Sequence, residues 1–277
     1  MPTRSTGPAP DPMMMFMRRC RFALPGLALT LVLAACSGPS GGGFVNRTAE
    51  DYCTLSDRST LFLIDRTTTF DAGDQTLLME SLGGVVDGLE TGDRIIIATI
   101  SDHYSKTRRL VNACKPGCPE PGGLADEIMG SCSTMKAKQD QQQFMASLAG
   151  SLREVINTAE DASGSDIIRT IGHWTGSPSA DPYTDIVIYS DMLENSEMIA
   201  WSKFSSLPED ELMSILAEHG AQARTPGTDI RVIGYGRLHD KARSVLPAAL
   251  DAKLRGFWGR YFLEGGGQVE FSARAGD

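Results

Sequence analysis

The sequence has no apolar run long enough to cross a bilayer. Its charge-free apolar run, Phe22–Ala35 (FALPGLALTLVLAA), has 14 residues, where a spanning helix needs about 20. Positive charge is scarce too: 26 Lys and Arg stand against 35 Asp and Glu, a net charge of −9. That balance argues against nucleic acid and anionic lipid headgroups as partners, because both are polyanions. Several catalytic patterns are missing. There is no Gly-Lys-Ser/Thr phosphate loop, no Gly-x-Ser-x-Gly elbow between a strand and a helix, and no His-Glu-x-x-His pair. No internal repeat is visible.

What is present begins with an export signal. Arg18, Arg19 and Arg21 form a cationic block, the apolar run follows, and the run ends Leu33-Ala34-Ala35-Cys36. This order is that of a secretory leader too short to be an anchor. Its last four residues resemble a bacterial lipobox. The resemblance implies cleavage after Ala35 and acylation of Cys36 on its sulfur and its new amine, giving the several acyl chains that stable anchoring needs. Residues 1–14 precede the cationic block, so Met15 or Met17 suits an initiator. Residues 1–35 are thus read as a lipoprotein signal peptide and 36–50, rich in Gly, Ser and Pro, as a flexible tether. Residues 51–273 are read as one domain. Ser37 carries no acidic retention signal, which points to the outer membrane, periplasmic face. Without residues 1–35 the chain has 22 basic and 34 acidic residues and a net charge of −12.

Cys20 leaves with the leader and Cys36 is lipidated, so four thiols remain: Cys53, Cys114, Cys118 and Cys132. An even number in an exported chain reads as two disulfides with three possible pairings. A zinc site is the alternative, although Cys114-x3-Cys118 fits poorly with the usual C-x2-C spacing.

From about residue 50 the chain alternates strand and helix. Leu61–Ile64 and Arg94–Ile100 are short apolar runs typical of buried strands. Lys106–Ala113 reads as a more exposed strand, and Asp185–Asp191, Asp229–Ile233 and Gln268–Phe271 as three more. Helical spacing covers Asp74–Leu89, Thr134–Ala162, Asp166–His173 and Lys241–Leu263. Ser206-Leu207-Pro208-Glu209 looks like a capping box that opens a helix to His219, closed by Gly220. Phe257, Trp258, Tyr261 and Phe262 share helical spacing and read as core. The pattern predicts an α/β fold: a doubly wound, mostly parallel six-stranded sheet with helices on both faces.

In such sheets ligands bind beyond the carboxyl ends of the strands, at the switch point. Asp65-Arg66-Thr67-Thr68-Thr69 follows the first strand, and Ser190-Asp191 follows a later one. Acids and hydroxyls at one edge suit a hard divalent cation, since Mg2+ and Ca2+ prefer oxygen ligands. These residues resemble the metal-ion-dependent adhesion site of a von Willebrand factor A-type domain, also called the integrin inserted domain. That site uses a D-x-S-x-S loop after the first strand, a Thr before a middle helix and an Asp after the fourth strand. The resemblance implies that Asp65, Thr67, Thr69, Ser165 and Asp191 hold Mg2+, or Mn2+ or Ca2+, with a partner's Asp or Glu completing the shell. It also implies that the third strand is an antiparallel edge. Three departures stand out: both loop hydroxyls are Thr, the middle one is Ser, and Met192 stands where Gly is common. Arg66, Asp71 and Glu194 flank the site and suit a role in tuning the partner's docking. On the same fold, Cys53 sits at the amino end of the sheet near Cys114 or Cys118, which favours pairing it with one of them and Cys132 with the other.

The function implied is a lipid-anchored envelope module that binds other envelope proteins. It needs no nucleic acid and no small-molecule substrate, and it is not an enzyme. The alternatives are a structural lipoprotein with a degenerate metal site and a metal-dependent phosphoester hydrolase. The aspartyl-nucleophile hydrolases need D-x-D-x-T, and Thr67 stands where their second acid is required. His103 near the sheet edge reads as a surface residue, and His173-Trp174 as packing against the sheet. Replacing the lipidated thiol, Cys36→Ala, is expected to move the protein from the membrane fraction to the soluble fraction after cell fractionation.

Overall fold

A computed structural model describes residues 52–119, 132–176, 183–236 and 246–272. The leader, Cys36 and the tether lie outside them. Among the described residues no helix is long and apolar enough to cross a membrane.

Six strands form one sheet: β1 (Ser59–Asp65), β2 (Arg94–Ile100), β3 (Arg109–Cys114), β4 (Asp185–Tyr189), β5 (Asp229–Ile233) and β6 (Gln268–Ser272). Their spatial order is β3-β2-β1-β4-β5-β6. All neighbours are parallel except β2 and β3, which pair antiparallel at the edge. This is the doubly wound sheet with one antiparallel edge that the sequence pattern and the resemblance implied. The chain can reverse between β2 and β3 because only a short turn, with a 3-10 segment at Tyr104–Lys106, separates them. Parallel neighbours instead need a longer crossover. The strand expected from Lys106 therefore begins later, at Arg109.

The helices are α1 (Ala72–Gly88), α2 (Thr134–Thr158), α3 (Ile167–Thr175), α4 (Trp201–Ser206), α5 (Glu209–His219) and α6 (Ala248–Glu264). They cover both faces because β1 is apolar on each side. Phe62 and Ile64 join Leu78, Leu82, Phe144 and Leu148 of α1 and α2 in one core. Leu61 and Leu63 join Ile168, Leu212, Phe257 and Trp258 of α3, α5 and α6 in the other. The aromatic face of α6 is core, as its spacing predicted: Phe257, Trp258, Tyr261 and Phe262 are all buried. His173 departs from expectation, since it is exposed while Trp174 packs on the core.

Three helix boundaries differ from the pattern. The capping box at Ser206 does not form. Ser206 ends α4, Pro208 is the N-cap of α5, and no side chain caps that helix. The expected C-terminus of α5 holds, with Gly220 at φ 61°, the left-handed conformation that ends helices. The last helix starts at Ala248 after Pro247, whose ring suits a helix start but not its interior. Residues 241–245 lie outside the described residues. The long helix α2 stops at Thr158 rather than Ala162, because the chain turns to bond the loop after β1. Glu160 N donates to Arg66 O (3.3 Å) and Ala162 N to Thr67 O (2.9 Å).

Cys53 is bonded to Cys114, and Cys118 to Cys132. This is one of the two arrangements the fold favoured, and it excludes zinc at these thiols. Cys114 lies opposite Arg94 in the ladder, so the first bridge clamps the segment before β1 to the end of the edge strand. The bridges span sequence separations of 61 and 14 residues. Loop-closure entropy makes them worth about 4 and about 3 kcal/mol. Urea unfolding is expected to show a larger loss for Cys53→Ala/Cys114→Ala than for Cys118→Ala/Cys132→Ala.

Candidate functional site

The strand order reverses direction of growth between β1 and β4, so the crevice that a doubly wound sheet offers lies beyond the carboxyl ends of these two strands. Asp65 is the last residue of β1. Ile64 pairs with Tyr189, which places Ser190 and Asp191 directly beside Asp65.

The Asp65 carboxylate gathers three segments of chain. Its Oδ1 accepts from Thr67 N (3.1 Å) and Thr67 Oγ1 (2.7 Å). Its Oδ2 accepts from Ser165 Oγ (3.0 Å) and Ser190 Oγ (2.8 Å). Thr67, Ser165 and Ser190 are all buried. Burial raises the Asp65 pKa above its ordinary value, and the nearby charge of Asp191 raises it further, against the lowering effect of the Thr67 and Ser190 hydroxyls. Two carboxylates therefore share one poorly solvated corner and repel each other.

The structure brings four of the five sequence candidates to this corner: Asp65, Thr67, Ser165 and Asp191. The fifth, Thr69, is exposed, and its amide and hydroxyl both donate to Asp161 Oδ1 (2.9 and 3.0 Å). Two participants escaped the sequence reading. Ser190 was placed with Asp191 at the strand end but was not among the five candidates. Asp161 stood in a stretch expected to be helix.

The loop after β4 is tightly shaped. Leu193 N donates to Asp191 Oδ1 (2.9 Å) and Met192 N to Ser190 Oγ (2.9 Å). Met192 adopts φ 62°, and no other non-glycine described residue has a positive φ. This explains why Gly is common at that position in the resembling site: a side chain there costs about 1–2 kcal/mol of backbone strain. Here the cost is offset by packing, since the Met192 side chain is fully buried and its carbonyl accepts from Trp258 Nε1 (3.1 Å). Ser165 is held by a two-way backbone bridge with Asn195 (2.9 and 3.0 Å). Gly164 makes that bridge possible, because a Cβ at 164 would lie 2.3 Å from Asn195 O.

Each flanking residue also makes a local structural contact. Arg66 Nη1 donates to Thr158 O (3.2 Å) at the end of α2. Asp71 and Asp74 form a capping box on α1. Glu194 is fully buried, and its Oε2 accepts from Ile167 N (2.8 Å) and Ile168 N (3.0 Å). It caps α3 because the local candidate, Asp166, is turned elsewhere, toward Tyr104 N (2.8 Å) and Arg169 Nε (3.0 Å). His103 Nδ1 accepts from Ser105 N (3.1 Å) as the cap of its 3-10 turn.

The strand order and the antiparallel edge are those that the resemblance implied. No protein-family profile and no curated protein match the chain. A solved structure described as von Willebrand factor type A from Catenulispora acidiphila is similar over 79% of this chain, with 12% identity and a TM-score of 0.40. The similar region spans 39% of that chain. So distant a likeness carries no argument about this chain.

Burial pushes the Glu194 pKa up to about 8, with Asp166 adding to it. A folded-state pKa above the ordinary 4.5 means that the native state binds the extra proton between those values. Stability from this group is present below pH 4.5 and falls as pH rises toward 8. One proton contributes a slope of up to about 1.4 kcal/mol per pH unit. Glu194→Gln keeps an acceptor for both amides, so urea unfolding from pH 5 to pH 8 is expected to show a shallower decline for this variant than for the wild type.

Proposed function

We propose that the domain is a lipid-anchored binding module of the bacterial envelope, joined to the outer membrane through Cys36 and facing the periplasm. It takes an acidic side chain of another envelope protein at the Asp65 corner, and it is not an enzyme. The observation that carries this reading is the Asp65 carboxylate, held by three hydroxyl-bearing residues beside a second acid at the switch point of the sheet.

The donor set fits a hard divalent cation, Mg2+, Mn2+ or Ca2+. Thr67, Ser165 and Ser190 turn their protons toward Asp65, so lone pairs of the same hydroxyl oxygens remain as ligand atoms. Among the described residues no cluster of three or more His, Cys, Asp or Glu occurs. The set is two carboxylates with hydroxyls, which suits an ion that keeps several of its waters. Asp65, Thr67, Ser165 and Asp191 would hold it. Once bound, the ion would supply positive charge to a partner carboxylate and relieve the repulsion between the two acids. The rest is done by the chain: Thr67, Ser165 and Ser190 orient Asp65, and Leu193 N orients Asp191.

A second reading, a structural lipoprotein with a degenerate site, draws on Thr69 bonding Asp161 instead of the corner. Thermal melting of the full chain in detergent separates the two. Mg2+ or Mn2+ is expected to raise the melting temperature, with about 2.7 kcal/mol gained at a hundredfold excess over Kd. Asp65→Asn is expected to be insensitive to metal. No rise in wild type up to millimolar metal would overturn the ion-dependent reading and favour the structural one.

A further inference from the structure

The sheet ends at β3, which pairs on one side with β2. Lys115, just past β3, turns its N–H inward to Asp93 O (2.9 Å). Backbone groups alternate in direction along an antiparallel strand. Ala113 and Val111 therefore also face β2, while Asn112 and Leu110 turn their N–H and C=O outward. Among the described residues no backbone partner meets those outward groups. An edge of this kind is a template for another strand.

A groove of about 520 Å3 runs beside the edge. Asn112, Ala113 and Cys114 form one wall, and Gln143 and Phe144 of α2 another. Its parts are constrained: Cys53 is bridged to Cys114, and Tyr52 Oη donates to Asp140 Oδ2 (2.9 Å) on α2. Arg94, which starts β2, also lines it, so the groove lies at the end of the sheet opposite Asp65.

The charge of the groove comes from arginine. Asp140 lines it too, but that carboxylate is engaged by Tyr52 and by Lys136 Nζ (2.6 Å). Arg94 and Arg109, the latter at the start of β3, are exposed, and among the described residues neither has an ion-pair partner. Burial raises the Tyr183 pKa and the Arg109 and Arg94 charges oppose it, so both guanidinium groups lie within electrostatic reach of one phenol. Two copies paired antiparallel about Asn112 would set Arg109 opposite Lys115 of the other copy, and like charges in that position destabilise a pair. A strand that carries carboxylates meets attraction instead. The chain's net negative charge opposes such a strand only at long range, where salt screens it.

We propose that the free edge of β3 takes an extended acidic segment of a partner protein as an added strand, its main chain bonding Leu110 and Asn112 and its carboxylates meeting Arg94 and Arg109. Main-chain bonds then supply affinity and the arginines supply selectivity. This interaction is separate from the Asp65 corner and needs no ion.

Hydrogen exchange of the full chain in detergent tests it, read at the Leu110 and Asn112 amides. The probe is a capped hexapeptide of alternating glutamate and valine. One control has lysine for glutamate, and the other has N-methylated backbone amides, which cannot pair as a strand. At ten times its Kd the acidic peptide is expected to slow both amides about tenfold, since about one-tenth of the protein stays free. Neither control is expected to slow them. Asn112→Pro removes an outward N–H at a position where an edge strand tolerates proline, and is expected to weaken binding about fivefold, read at Leu110. Arg94→Glu/Arg109→Glu keeps the edge and is expected to reverse the preference, so that the lysine peptide protects both amides and the acidic one does not. Equal protection by either control in wild type, or none by the acidic peptide, would overturn the proposal. So would protection that rises with protein concentration in the absence of peptide, which assigns the edge to a second copy. Metal does not enter these readouts, so failure here leaves the reading of the Asp65 corner standing, and failure of metal to stabilise the chain leaves the edge standing.

Discussion

Four donors converge on one carboxylate. Asp65 accepts from Thr67 twice, from Ser165 and from Ser190, and those residues belong to the loop after β1, the segment before α3 and the end of β4. Hydrogen bonds to an ionised group contribute about 1.5–3 kcal/mol each, against the large cost of leaving such a group dry. The corner is therefore tied together by one acid and the buried hydroxyls of Thr67, Ser165 and Ser190 around it. The same tie keeps Asp191 close enough to repel Asp65. The repulsion between the two acids costs stability at this corner.

The ties extend outward from this corner. Ser190 also accepts from Met192 N, and Met192 O accepts from Trp258 Nε1 on α6. Ser165 leads through Asp166 into α3, whose first amides are capped by Glu194 from the loop after Asp191. Asp71 and Glu194, which flank the corner, cap α1 and α3.

Much of the fold was legible. Apolar runs at 61–64 and 94–100 marked buried strands, because a strand covered on both faces leaves no room for polar alternation. The antiparallel edge and the choice of partners for Cys53 followed once the resemblance gave an order to those strands. Helix ends were less legible. Ser206 carries a capping side chain yet closes the preceding helix, and α2 stops four residues early because Glu160 and Ala162 find backbone acceptors at Arg66 and Thr67. Such choices depend on groups about 90 residues away.

The chain's own order of residues determined that strands and helices alternate, that one acid ends the first strand and that another follows the fourth. These are local properties, written in hydrophobic period and in short spacings. Only tertiary structure decided which hydroxyls face Asp65, that Thr69 turns to Asp161, that Glu194 is a buried cap, and that Met192 bears a strained backbone. Each of those outcomes is a competition between hydrogen-bond partners far apart in sequence, and it is settled by which loops the sheet brings to the same edge.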